Sequence, residues 1–247
     1  MTESHTPNVS ELAVAEIERR LQWRAMPALM FLGILALLLA AAFWPSVFPP
    51  KRITGLPDDP DVFSAAAQLR AHVALPATEL RFESALTGEA VPGTRAAADA
   101  DVRLAQAAAL LDRAHARFAH DVRMHVARAA LDVVRHRYRD AEQRYRGAVD
   151  RYSNYPEARL GLGVTLALSG ELERNPLAQR QRFLRAIAQL AAVTPRDAEY
   201  EEALFDRAIL LERVGRRGEA ARCAREYVAR GALVGFERMR TMAGGAE

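Results

Sequence analysis

The sequence is poor in the residues on which most small-protein chemistry is built. It has one cysteine, Cys223, so no disulfide can form within the chain. That thiol falls in an expected helix, where packing rather than reactivity is its ordinary role. It has one lysine, Lys51, and every other basic side chain except histidine is arginine. The arginine and alanine bias reflects genome composition, and the formal charge of +3 is small for 247 residues. A nucleic-acid binder concentrates its cations on one face. Here arginines alternate with acids, as in DRAHARFAHD and RDAEQRYRGAVDR, which reads as a solvated helix surface of mixed sign. Nucleic acid is therefore excluded as a partner.

Catalytic and cofactor signatures are also missing. No HExxH, CxxC, GxSxG or phosphate-loop pattern occurs. Gly161-Leu162-Gly163 lies within an expected helix rather than after a strand, so it is no nucleotide fingerprint. His115, His120 and His125 step by five residues, about 140° apart on an ideal helix, and cannot share one face. Asp121 is expected to begin a new helix between them. His136 stands between Arg135 and Arg137, a poor setting for a cation. The acids Glu199, Glu201 and Glu202 suit the positive end of a helix dipole better than an acid–base pair. No catalytic residue, metal ligand or cofactor site is assigned, and no small-molecule substrate is evident.

What is present is a long apolar run. Residues 26–48 carry no charge, with Arg19, Arg20 and Arg24 before them and Lys51 and Arg52 after. The only two tryptophans, Trp23 and Trp44, stand at its ends, roughly 30 Å apart in a helix and thus about one hydrocarbon thickness. Indole rings favour the headgroup layer, so the spacing fits an aromatic belt on each side. A cleaved signal peptide is the rival reading, because Ala40-Ala41-Ala42 offers small residues at an exit site. The long charged stretch ahead of the run, and a run longer than about 7–15 residues, favour a retained single-pass anchor. The cation bias places the amino terminus in the cytoplasm and the large domain outside it, the periplasm in a bacterium.

The rest of the chain is helical in pattern. Residues 1–25 form a polar tail with a short helix that Ser10 can cap. Residues 49–99 read as a linker with a candidate capping segment, including one modest helix begun by Asp61. From about Ala100 apolar residues recur at three- and four-residue steps, and helices are expected at 100–118, 121–135, 138–152, 156–168, 176–192, 198–213 and 217–230. Asn175-Pro176 is a cap followed by proline at the first helical position. Gly170, Gly215 and Gly231 each follow an apolar run, as a helix stop does. Residues 236–247 read as a tail.

These helices pair, and the pairs recur at roughly 34–45 residues, a period that suggests an α-solenoid. The stretch Pro156-Glu157-Ala158-Arg159-Leu160-Gly161-Leu162-Gly163-Val164-Thr165-Leu166 resembles the start of a tetratricopeptide repeat, with Leu162-Gly163 as its apolar–small pair and Gly170 at the turn between helices. Leu204, Ala208, Leu211 and Gly215, then Ala220, Ala224 and Tyr227, are similar. So are Tyr138, Ala141, Tyr145 and Ala148 as a second helix, and more distantly Ala107, Leu111 and Ala114. The likeness spans about residues 100–230, within an expected repeat domain of 100–235. It departs from the family at Arg159, where a tryptophan is usual, and in a lengthened turn from Glu171 to Asn175. The resemblance implies that the first helices of successive pairs line a groove for a partner protein or peptide. Here they would offer Leu160, Val164 and Leu168, then Glu202, Phe205, Asp206, Ile209 and Arg213.

The expected architecture is therefore all-α: a single amino-terminal transmembrane helix followed by a tetratricopeptide-like solenoid. The expected role is a non-catalytic scaffold that meets proteins or peptides at the membrane surface and the lipid bilayer through residues 26–48. A structural accessory subunit of a larger membrane complex is the alternative, and an enzyme with a site that these motifs do not reveal is a third reading. The anchor is testable. Leu35→Arg with Leu38→Arg puts two charges near the bilayer centre, each costing roughly 2.5–3.5 kcal/mol on insertion scales. The double variant should lose alkali-resistant membrane association, read by carbonate extraction and immunoblot.

Overall fold

The computed structural model describes residues 53–70, 80, 97–232 and 235–244. The chain divides after Pro50, and all of these residues belong to the unit Lys51–Glu247. Among them there are nine helices and no strand: α1 Pro60–Arg70, α2 Ala97–Arg117, α3 Val122–Val134, α4 Tyr138–Arg151, α5 Pro156–Glu171, α6 Pro176–Ala191, α7 Tyr200–Arg213, α8 Arg217–Ala229 and α9 Phe236–Gly244. The expected anchor at 26–48 lies outside the described residues, and among those described no helix is long and apolar enough to cross a membrane.

Helix starts follow local side chains. Asp121 caps α3 by accepting the backbone N–H of Arg123 at 2.9 Å, and Asn175 caps α6 by accepting that of Leu177 at 2.9 Å. α1 corrects the sequence reading. Its cap is Asp59 rather than Asp61, because proline fits the first helical position and the carboxylate before it accepts the N–H groups of Asp61 and Val62 at 2.9 and 3.3 Å. Asp197 likewise serves the turn before α7, accepting both the N–H and the hydroxyl of Thr194 at 2.7 Å. α7 therefore begins at Tyr200 instead of residue 198.

Two of the interhelical turns are alike. His136 (φ 59°) after α3 and Gly215 (φ 82°) after α7 take the left-handed conformation. The following N–H groups, of Arg137 and Arg216, reach back to the carbonyls of Asp132 and Leu211 at 2.8 Å. A glycine bears that conformation without strain; His136 bears it while its Nδ1 shares a 2.8 Å hydrogen bond with the Tyr138 hydroxyl. The expected stop at Gly170 is a correction. α5 runs on to Glu171, and Gly170 is buried inside it beneath the Phe183 ring, so a close approach rather than a turn requires the small residue.

The helices pack in chain order, each against the next, and beyond that α3 touches α5 and α5 touches α7. The pairs α3/α4, α5/α6 and α7/α8 thus stack through their first helices, as a helical-repeat array does. The buried face of each second helix matches the sequence pattern: Ala107, Leu111 and Ala114 on α2; Tyr138, Ala141, Tyr145 and Ala148 on α4; Ala220, Ala224 and Tyr227 on α8. α9 falls where the sequence pattern predicts only a tail. It is a nine-residue helix that rests on α8 with Met239 fully buried, a contact that one apolar residue cannot announce in sequence.

The segment before α1 is docked, not a free linker. The N–H of Gly55 donates to Glu157 at 2.6 Å, and the Gly55 carbonyl accepts the Tyr155 hydroxyl at 3.2 Å. Arg123 donates to the Leu56 carbonyl at 3.3 Å. From the end of α2, Arg117 grips both Asp59 and Asp61 at 2.7 Å.

Two glycines, one in α5 and one in α4, separate two effects. A Cβ on Gly161 would intrude on the buried Tyr145 ring, whereas one on Gly147, exposed in α4, would meet nothing within 4 Å. Gly161→Ala should lower stability by up to about 2 kcal/mol, an overpacking cost of about 1–3 less a helix-propensity gain of about 1. Gly147→Ala should raise it by about 0.5–1 kcal/mol. Urea unfolding of the full chain in detergent, followed by circular dichroism, checks both.

Candidate functional site

The residues expected to line a groove lie on α5 and α7, two first helices in contact with each other. Leu160, Val164, Leu168, Phe205 and Ile209 are all core residues, no more than 5% exposed. Glu202 and Asp206, one turn apart on α7, are buried as well. Arg213 keeps a partly exposed side chain and pairs with Glu171 at the end of α5. In this structure the eight residues therefore present no open apolar floor, and a partner would reach them only by displacing what covers them. Periodicity on α5 and α7 marks buried faces without saying which of them a partner could share, because these helices are apolar on nearly every side.

The buried acids matter for the electrostatics. A carboxylate in the interior is costly unless partnered, and both Glu202 and Asp206 have partners within the protein. Burial, chiefly, and then the charges of Asp132 and Glu202 together with the Tyr155 hydroxyl hold the Tyr145 phenol well above its ordinary range.

The histidines fall on two helices, as the cap at Asp121 implies. On one helix His115 and His125 would diverge, but the turn between α2 and α3 folds them together, with ring centroids 5.7 Å apart and planes at 75°. His120 stays exposed at the turn and takes no part. The signal that could have found the pair was available: Asp121 as a helix cap implies an α2–α3 hairpin, and residues equally far from its turn meet. Burial first, then the charges of Arg128 and Arg144, hold His115 below the usual imidazole range despite the opposing charge of Asp112. His125 is held down by burial, by His115 and by Arg144, Arg128 and Arg151.

Cys223 is buried, with the Arg207 Nε donating toward its sulfur at 3.0 Å. Among the described residues no group of three or more His, Cys, Asp or Glu side chains could hold a metal ion. No protein-family model, curated protein or solved structure matches this chain.

The histidine pair makes stability depend on pH with a definite sign. Both imidazoles titrate lower in the folded chain than in the unfolded one, so the unfolded chain takes up protons first as pH falls. Their contribution is intact above the ordinary imidazole pKa of about 6.5 and is lost as pH falls through the folded-state values. Urea midpoints should decline between pH 7.5 and 5, and His125→Gln, which cannot charge, should flatten that decline.

Proposed function

We propose that this protein is a membrane-tethered helical-repeat scaffold of tetratricopeptide type, non-catalytic, that holds partner proteins or peptides at a membrane surface during assembly, quality control or envelope biogenesis. The observation that carries the reading is the stack of helical hairpins, α3 to α8, joined through their first helices. Such arrays bury a continuous core while leaving long faces for partners. The second support is the uncharged run at 26–48 with its flanking tryptophans and arginines. A tether confines the array to a thin layer and raises its effective concentration for membrane-bound partners. With the amino terminus inside, the array lies outside the cytoplasm.

Two measurements test the reading. A reporter active only outside the cytoplasm, fused after Glu247, should be active; activity of a cytoplasm-only reporter at that point reverses the topology. Crosslinking and pull-down from native membranes should recover several partners in variable amounts. Recovery of one complex of fixed stoichiometry would make the protein an accessory subunit instead.

A further inference from the structure

A cleft of about 420 Å³ lies between α3 and α4. Its charged and polar lining comes from His125 on α3 and from Asp140, Gln143, Arg144 and Arg151 on α4, with Gly147 leaving its wall open. The two helices of a hairpin run in opposite directions, so the start of α3 faces the end of α4. His125 therefore shares one end of the cleft with Arg151 and Gly147, and Asp140, in the first turn of α4, marks the other.

The charges at the His125 end do not balance locally. Arg144 spends its Nε on Asp132 at 2.9 Å, which leaves its terminal nitrogens for the cleft. Arg151 has no ion pair among the described residues; its guanidinium stands 5.9 Å from the Tyr152 ring centroid. Arg128, behind the histidines, pairs with Asp112 at 2.8 Å. The other acid near His125 is Asp121, which Arg123 engages at 2.6 Å. Behind His125, the Nδ1 of His115 is buried without a hydrogen-bond partner. Two imidazoles thus stand beside guanidinium groups, an arrangement that an added negative charge would relieve.

We propose that the α3/α4 cleft is a proton-coupled anion site that takes a carboxylate or phosphate group against Arg144 and Arg151, with His125 as the donor that switches on by protonation. Guanidinium groups suit both oxyanions through paired N–H donors. Asp140 repels the anion from the far end and so fixes where it sits. An anion in place stabilises the imidazolium, so binding tightens as pH falls and, reciprocally, the ligand raises the histidine's proton affinity. The chemistry is shared by a free small anion and by an acidic side chain of a protein partner. The inference does not depend on the membrane anchor or on the proposed scaffold role.

The test is a titration of the full chain in detergent with sodium phosphate and with a hexaglutamate peptide, at constant ionic strength. Binding is followed by calorimetry and the His125 imidazole by NMR. For hexaglutamate, whose carboxylates stay ionised over this range, saturable binding should be several-fold tighter at pH 5.5 than at pH 7.5, with about tenfold as the limit for a rise of about one unit in the His125 pKa on binding. Arg151→Gln should remove saturable binding over the concentration range that saturates the unchanged chain, and with it the His125 response. Gly147→Glu, which places a carboxylate in the cleft, should block binding and raise the His125 pKa with no ligand present. Tighter binding of hexaglutamate than of phosphate identifies the source as an acidic protein segment, and the reverse order identifies a small anion. No saturable change at His125 with either probe, or a response that survives Arg151→Gln, overturns the proposal.

Discussion

The close approach of α5 to both of its neighbours is the contact from which the rest of the array is built. Tyr145 of α4 lies where a side chain on Gly161 would stand, and Leu190 of α6 lies 2.8 Å from where the Cβ of residue 163 would be. Phe183 fills the equivalent space at Gly170. Large side chains on the second helices thus enter gaps left by the absence of side chains on α5, and the backbones come closer than two ordinary apolar faces allow. The alanines of α4 and α8 repeat the theme on a smaller scale. A fold built on such interlocking tolerates little added volume at those points and much variation elsewhere.

Close packing through small residues leaves little room between helices for charge, so charge collects at the rims. Arg144 reaches Asp132 across the first hairpin, Arg182 reaches Glu142 from the second hairpin to the first and Ser169 within the second, and Arg213 reaches Glu171 from the third to the second. Partly exposed pairs of this kind contribute only about 0–1 kcal/mol each. Their larger effect is to decide which arginines remain uncommitted. α6 carries three arginines and no acid, and the end of α4 keeps Arg151 without an ion pair among the described residues. The cationic character of the α3/α4 cleft is a remainder of this pairing and not a property of any one helix.

Most of the helices were readable because their signals are local. Asp121, Asn175 and the Pro156 and Pro176 starts act on their own backbones, and the alanine and tyrosine spacing of α4 and α8 states a buried face within one helix. Gly170 misled because glycine has two physical uses, a left-handed turn and a close approach, and sequence does not distinguish them. Asp61 misled because its neighbour Asp59 offers the same carboxylate one proline earlier. The candidate groove residues fall on α5 and α7, where apolar period carries no information about what lies over a face.

What the chain determined by itself, among the described residues, is most of the helices, their order and the faces they bury, since capping, proline placement and apolar spacing are decided within a few residues. Tertiary structure alone decided the pairings that carry chemistry. His115 and His125 are ten positions apart and meet only because a turn reverses the chain. Gly55 and Glu157, or Arg117 and Asp59, meet only because separate helices have already packed. Met239 is buried only because α8 stands beneath it. Interactions of that kind depend on the positions of whole elements, and short-range sequence pattern does not encode those positions.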